Sequence, residues 1–166
     1  METEIAAKEL KQKNKISVIL WTGLLVGTLD ISAAIINYTL SYQKNPVRVF
    51  QFIASGVFGK EAFSGNSSMI FYGIIFHYLI AFTFTIFFFF IYPKINFLLK
   101  NIVITSIIYG VFIWIIMNLV IVPISNTPKF PFNLFHAIIN MIILIAAIGL
   151  PLAYSAKKFY FILRVS

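Results

Sequence analysis

Cysteine is absent from the 166 residues of this sequence, and charged residues are scarce. Without thiols the chain has no disulfides, no thiolate metal sites and no cysteine nucleophile. Asp, Glu, Lys and Arg make up 11% of the residues, whereas a soluble domain carries roughly 25%. Because 60% of the residues are hydrophobic and the mean hydropathy is +0.94, the composition predicts an integral membrane protein.

Carboxylates are the rarest charged groups. Outside the N-terminal tail only Asp30 and Glu61 are acidic, so clustered carboxylates for acid–base chemistry or metal binding are not expected. The sequence also lacks the G-x-S-x-G, H-E-x-x-H and Walker patterns of hydrolases, metalloproteases and nucleotide-binding proteins. We therefore expect no enzyme activity, no catalytic residues and no metal site, and the sequence indicates no particular cofactor. A lipid-modifying or redox enzyme is the least supported interpretation.

Four apolar runs are long enough to cross a bilayer, which takes about 20 helical residues. They predict an all-α integral membrane protein, a four-helix transmembrane bundle in a single domain over residues 1–166. The predicted parts are a cytosolic cap (1–15), span one (16–41), an amphipathic outer helix (45–63), span two (69–92), span three (101–123), span four (133–154) and a cytosolic tail (155–166).

The segment between spans one and two is too polar to cross a membrane. Asn45 followed by Pro46 is typical of a helix start. The apolar residues that then fall on one side of the helix are Val47, Phe50, Ala54, Val57 and Phe58. This pattern predicts an amphipathic helix that lies in the membrane interface or folds back over the bundle. A more specific hypothesis is that the same helix forms a lid over a cavity.

The basic residues indicate how the chain is oriented. Nine of the 13 Lys and Arg residues lie in the two termini and the loop between spans two and three, and four lie in the other two loops. By the positive-inside rule, both termini are predicted to be cytoplasmic. The formal net charge of +8 is thus interpreted as a topology signal, and no nucleic-acid partner is expected.

Small and polar residues form a stripe along span one. Gly23, Gly27, Asp30, Asn37 and others recur at spacings of three and four, which places them on one helix face. A carboxylate in the middle of a span costs about 2.5 to 3.5 kcal/mol on insertion scales. Asp30 is therefore predicted to face protein or a water-filled cavity rather than lipid.

Polar side chains of all four spans are predicted to gather in the outer half of the bundle. From the helical rise, Asp30 lies about 15 Å and His77 about 12 Å below the outer span ends, Asn118 and Asn140 about 8 to 11 Å, and His136 about 5 Å. The inner half is nearly all apolar, so we expect a polar pocket that is open outward and closed towards the cytoplasm. Six residues are candidates for binding a ligand or ion: Asp30, Asn37, His77, Asn118, His136 and Asn140.

Two functional interpretations remain open. In the first, Asp30 and His77 form a coupled proton- or cation-binding pair with Asn118 and Asn140 as neutral ligands, in a small transport-like protein that binds an ion or solute. In the second, the asparagines are interhelical hydrogen-bonding groups, and the protein is a structural or accessory membrane subunit.

Helix packing explains the small residues Gly23, Gly27 and Gly110 in either interpretation. The expected partners are the lipid bilayer and either further copies of the chain or another membrane protein. Four short spans rarely enclose a complete transport path within one chain, and this favours an oligomer.

Several motifs in the second half of the chain resemble one family. They are FHYLIAFTFTIFFFFIYPKI around His77 and Pro93, the connection IVPISNTPKFPF, and LFHAIIN at the start of span four. Over about Phe76 to Leu152 the chain resembles the YagU-like family of uncharacterised bacterial inner-membrane proteins. The resemblance implies a small multi-span protein of the bacterial cytoplasmic membrane with no established enzyme activity, and it supplies no substrate, cofactor or catalytic residue.

Overall fold

The computed structural model describes residues 2–129, 131 and 133–165, and the side chains of residues 14–129, 131 and 133–161. Within these residues the regular structure is helical and contains no strand. The predicted all-α class is therefore confirmed for the part of the chain that the structure describes.

Four long helical rods form the bundle. The first is α1 (Glu2–Tyr42) and the second is α3 (Ser68–Ile91). The third joins α5 (Ile102–Ile115) to the short α6 (Val122–Ile124) through a π-helical segment, Ile116–Ile121. The fourth joins α7 (Leu134–Leu144) to α8 (Leu150–Val165) through a second π-helical segment, Ile145–Gly149.

Shorter helices connect these rods. The amphipathic segment forms α2 (Val47–Phe58) and a 3₁₀ turn, Gly59–Phe63. Between the second and third rods lie a 3₁₀ turn, Tyr92–Lys94, and α4 (Asn96–Lys100). The residues predicted to form a separate cytosolic cap continue into span one in the single helix α1, because no proline interrupts the chain there.

Each rod contains a stretch long and apolar enough to cross a membrane. These stretches are Asn14–Tyr42, Ser68–Lys94, Ile102–Ile124 and Leu134–Phe161. In the most apolar window of each, at most 28% of the residues are buried inside the protein, so most apolar side chains are at least partly exposed. Such a surface requires lipid around it, and the predicted four-helix membrane fold is confirmed.

Asparagine side chains begin several helices by accepting backbone N–H groups that have no helical partner. Asn101 Oδ1 accepts from the backbone nitrogen of Val103 at 2.8 Å, at the start of α5. Asn45 Oδ1 accepts from the backbone nitrogen of Val47 at 3.0 Å. Asn45, the residue before Pro46, therefore caps the amphipathic helix with its side chain.

The buried apolar core lies at one end of the bundle, which we call the tail end because α8 ends there. The opposite end, where α1 ends and α3 begins, is called the α2 end. Core residues are Val26, Phe88, Phe89, Tyr92, Leu98, Tyr109, Ile113, Ile148, Leu152, Ala153, Ala156 and Phe159. The Tyr109 hydroxyl in this core donates to the carbonyl oxygen of Phe84 at 2.6 Å. The tail-end half is therefore packed closed by apolar side chains.

Glycines permit the closest helix crossings. An added Cβ at Gly110 would lie 2.6 Å from Ile145 Cα, and one at Gly149 would overlap the Ser106 carbonyl oxygen, so α5 packs directly on the backbone of the fourth rod. On α1, Gly23 faces the ring of Phe82, and Gly27 faces Tyr78 and Ala81 of α3. All three glycines predicted to serve packing thus lie at interhelical contacts.

Helix α2 folds back against the second rod. The backbone of Phe50 occupies the space beside Gly73, where a Cβ would overlap the Phe50 carbonyl oxygen. At the other end of α2, Asn126 donates from its backbone nitrogen to the Gly56 oxygen at 3.0 Å and from Nδ2 to the Val57 oxygen at 2.9 Å. The connection after α6 therefore fixes the C-terminal end of α2.

Candidate functional site

His77 connects the first two rods through the backbone of Gly27. The imidazole is buried, with 8% of its surface exposed, and its Nε2 lies 2.7 Å from the Gly27 carbonyl oxygen. Because a carbonyl oxygen can only accept, Nε2 carries a proton and donates it. In the neutral ring, the other nitrogen, Nδ1, is then a hydrogen-bond acceptor.

Asp30 lies three residues beyond Gly27, towards the α2 end, and is partly buried. Among the described residues its carboxylate accepts no hydrogen bond and forms no direct ion pair. Asp30 is about one helical turn from Gly27, whose carbonyl oxygen contacts His77. The two members of the predicted pair therefore occupy neighbouring levels of the first two rods, while the carboxylate keeps its acceptor positions for a proton, a water or a cation.

A second polar contact flanks this pair on the same two rods. The Thr28 hydroxyl donates to the Leu24 carbonyl oxygen at 2.8 Å, and its oxygen lies 2.9 Å from the Tyr78 hydroxyl. Since the single Thr28 proton is already used, Tyr78 is the donor in this contact. Sequence reasoning missed both residues, because a hydroxyl in a span is normally satisfied by its own helix.

Asn37 and Asn140 meet between the first and fourth rods, nearer the α2 end. Asn37 Nδ2 donates to Asn140 Oδ1 at 3.1 Å, and Ser41 Oγ donates to Asn37 Oδ1 at 3.3 Å. Asn37 is seven residues from Asp30, a separation of about 10 Å along the helix. This second polar layer therefore lies above Asp30 on the same helix face.

His136 belongs to that outer layer and not to the His77 site. Its ring stacks on the Tyr42 ring, with centroids 5.4 Å apart and an interplanar angle of 26°. Both residues lie at the α2 end, where α1 ends and α7 begins. The two histidines thus lie in different layers of the bundle. The helical rise predicts different depths in the membrane for them.

Asn118 is placed apart from the other candidates. Its Nδ2 donates to the Trp114 carbonyl oxygen of its own helix at 3.0 Å, and its side chain is exposed on the bundle surface. Asn118 lies in the π-helical segment Ile116–Ile121, which turns residues away from the faces predicted by a regular α-helix. In this structure neither Asn118 nor Asn140 bonds to Asp30 or His77.

Two further buried polar side chains carry no sequence signal of a site. The Trp114 indole is 9% exposed, and its Nε1 has no hydrogen-bond acceptor among the described residues. Gln51 is buried on α2, with 7% of its surface exposed. The helical pattern predicts on which face of its helix each of these two residues lies. It does not predict that this face is buried, because burial depends on how the helices pack against one another.

The described residues contain no group of three or more His, Cys, Asp or Glu side chains placed to hold a metal ion. The available chemistry is therefore that of one carboxylate and one imidazole, supported by hydroxyl and amide groups. Such a site can exchange a proton or hold a small cation.

The chain matches no family model, no curated protein and no solved structure. The resemblance to the YagU-like family therefore stays a prediction. The fold that the structure describes is a four-helix membrane bundle with one short helix packed against its second rod.

Proposed function

We propose that this protein binds a proton or a small cation at Asp30 and His77, as part of a transport-like function. The observation that carries the proposal is the Asp30 carboxylate, which lies inside a membrane span without a hydrogen bond or ion pair among the described residues. An uncompensated charge there is costly. A proton, a bound cation or a protonated His77 would supply the compensation.

Access to this pair is proposed from the α2 end. The hydrogen-bonded series Ser41, Asn37 and Asn140 follows the face of α1 that leads down to Asp30, whereas the tail-end half is filled by the apolar core. With the termini in the cytoplasm, as the basic residues predict, the α2 end faces outward. The proposed location is the bacterial cytoplasmic membrane.

The second candidate is a structural or accessory membrane subunit. The direct bond between Asn37 and Asn140 at 3.1 Å favours it, since such bonds commonly join transmembrane helices. Helix α7 and the π-helical segment Ile116–Ile121 have no buried residue, so their apolar surface is free to contact lipid, another copy of the chain or a different membrane protein.

The deciding experiment measures thermal unfolding of the protein in lipid nanodiscs as sodium concentration and pH are varied. A ligand that binds only the folded state stabilises it by about 2.7 kcal/mol at a concentration 100 times its Kd. We expect the wild type to respond to sodium or pH, Asp30→Asn to lose the response, and Glu61→Gln to keep it. Glu61 is the matched control because it is the other carboxylate outside the N-terminal tail.

A flat response in the wild type would remove the binding proposal. Native mass spectrometry of the same samples then tests the second candidate. An unliganded assembly that dissociates in Asp30→Asn, but not in Glu61→Gln, would assign Asp30 to helix packing and favour the accessory subunit.

A further inference from the structure

A concave site that includes neither Asp30 nor His77 lies at the tail end of the bundle. It is a shallow cleft of about 80 Å³ between the end of the second rod, α4 and α8. This volume is well below the roughly 300 to 1,000 Å³ of sites that enclose a whole small molecule, so the cleft can hold only part of a ligand. Its lining residues are Tyr92, Leu99, Lys157, Tyr160 and Phe161.

The cleft combines one cation with apolar walls. Lys157 is the charged lining residue and is exposed. The rings of Tyr92 and Tyr160 stack with centroids 5.8 Å apart and an interplanar angle of 27°, and the Tyr160 hydroxyl donates to the Phe89 carbonyl oxygen at 2.8 Å. Since that hydroxyl proton is committed, Lys157 supplies the charged donor to any anion in the cleft.

The two segments that line the cleft, residues 92–100 and 157–161, carry basic residues and no acidic one. Lys94, Lys100 and Lys158 each lie within two residues of a lining residue, and the sequence contains no acidic residue after Glu61. Lys94 Nζ lies 3.6 Å from the centroid of the Phe90 ring, so it already has a cation–π partner. Lys157 has no carboxylate partner among the described residues and remains available for an anion.

The position of the cleft indicates the kind of anion. Tyr92 lies at the end of the span Ser68–Lys94, and Lys157 lies near the end of the span Leu134–Phe161. Aromatic and basic residues at span ends lie at the level of the lipid headgroups. A ligand here meets a cation on the water side and the apolar side chains of Leu99 and Phe161 beside it.

We propose that this cleft binds the phosphate headgroup of an anionic phospholipid from the adjacent leaflet. Lys157 pairs with the phosphate, and Leu99 and Phe161 contact the glycerol and the first part of the acyl chains. Basic pockets between transmembrane helices bind anionic lipid headgroups in this way. The proposal does not depend on any role of Asp30.

The test is native mass spectrometry of the protein released from nanodiscs that contain equal amounts of phosphatidylglycerol and phosphatidylcholine. We expect the wild type to retain phosphatidylglycerol in preference to phosphatidylcholine. Lys157→Gln should bind it about fivefold more weakly, as expected for the loss of one lysine near an anionic surface. Lys158→Gln is the matched control and should retain it like the wild type, because Lys158 does not line the cleft.

A second variant tests the cavity independently of charge. Leu99→Trp fills the cleft without changing any charge and should also reduce phosphatidylglycerol retention. Equal retention in Lys157→Gln and Lys158→Gln, or equal retention of the two lipids by the wild type, would overturn the proposal. Competition by soluble glycerol phosphate at millimolar concentration would assign the cleft to a free phosphate compound and would likewise overturn the lipid assignment.

Discussion

The Nε2 atom of His77 lies 2.7 Å from the carbonyl oxygen of Gly27. Gly27 lacks a side chain, and its Cα faces Tyr78 and Ala81. A Cβ added at Gly27 would lie 3.0 Å from the Tyr78 ring, which is a tight contact. The small residue therefore lets the second rod come close enough for an imidazole to reach the α1 backbone. One glycine serves both the packing of two rods and the orientation of the proposed site.

His77 should therefore have separable roles in helix packing and in the proposed binding. His77→Gln can keep an N–H donor towards Gly27 but loses the second ring nitrogen, whereas His77→Leu loses both. We expect His77→Gln to fold with near wild-type stability and without the wild-type pH response, and His77→Leu to lose about 0.5 to 1.5 kcal/mol. Thermal unfolding in nanodiscs across a pH series measures both quantities. A pH response that persists in His77→Gln would assign it to another group.

Asn37 and Asn140 should be energetically coupled. Interhelical hydrogen bonds in membranes are worth on average about 0.6 kcal/mol and at most about 1.7 kcal/mol. A double-mutant cycle of Asn37→Ala and Asn140→Ala, followed by unfolding in mixed micelles, should give a coupling energy in this range. The matched cycle of Asn37 with Asn118 should give no coupling, because Asn118 bonds to its own helix. Coupling in the second cycle would contradict the placement of Asn118.

Gly73→Ala should displace α2 from the second rod. The added Cβ overlaps the backbone carbonyl oxygen of Phe50, and such overpacking costs about 1 to 3 kcal/mol. Gly56→Ala is a suitable control, since its Cβ would lie 3.7 Å from Thr127 Oγ1, an ordinary contact. The two variants are compared by thermal unfolding. Equal stability would show that α2 moves at no cost.

The absence of cysteine makes the proposed orientation directly testable. Ser64→Cys at the α2 end and Lys158→Cys at the tail end both introduce a thiol at an exposed position. On intact cells a membrane-impermeant maleimide should label Ser64→Cys only, and after permeabilisation it should label both. The reverse pattern would place the termini outside and would turn the Asp30 site towards the cytoplasm.

Hydropathy predicts the four rods well, because the need to satisfy backbone hydrogen bonds in lipid leaves few alternatives to a helix. The helical rise also gives approximate depths, and the structure places His77 beside Gly27 and His136 beside Tyr42. Depth does not determine how each helix is rotated. The close contact of Gly110 with Ile145 and the π-helical segment around Asn118 set that rotation for the third rod, so Asn118 bonds to its own helix while Asn140 meets Asn37.

Each of the two π-helical segments separates its rod into a tail-end part and an arm at the α2 end. One begins at Ile145, at the close crossing with Gly110, and the other begins six residues beyond that glycine. Helices bend most readily at such segments. The α2-end arms beyond them contain no buried residues, and they contact the apolar core through the partly buried side chains of Met117 and Leu144. A bend at these segments would therefore change the angle of the arms while leaving most of the apolar core in place, and the hydrogen bond between Asn37 and Asn140 opposes such a bend.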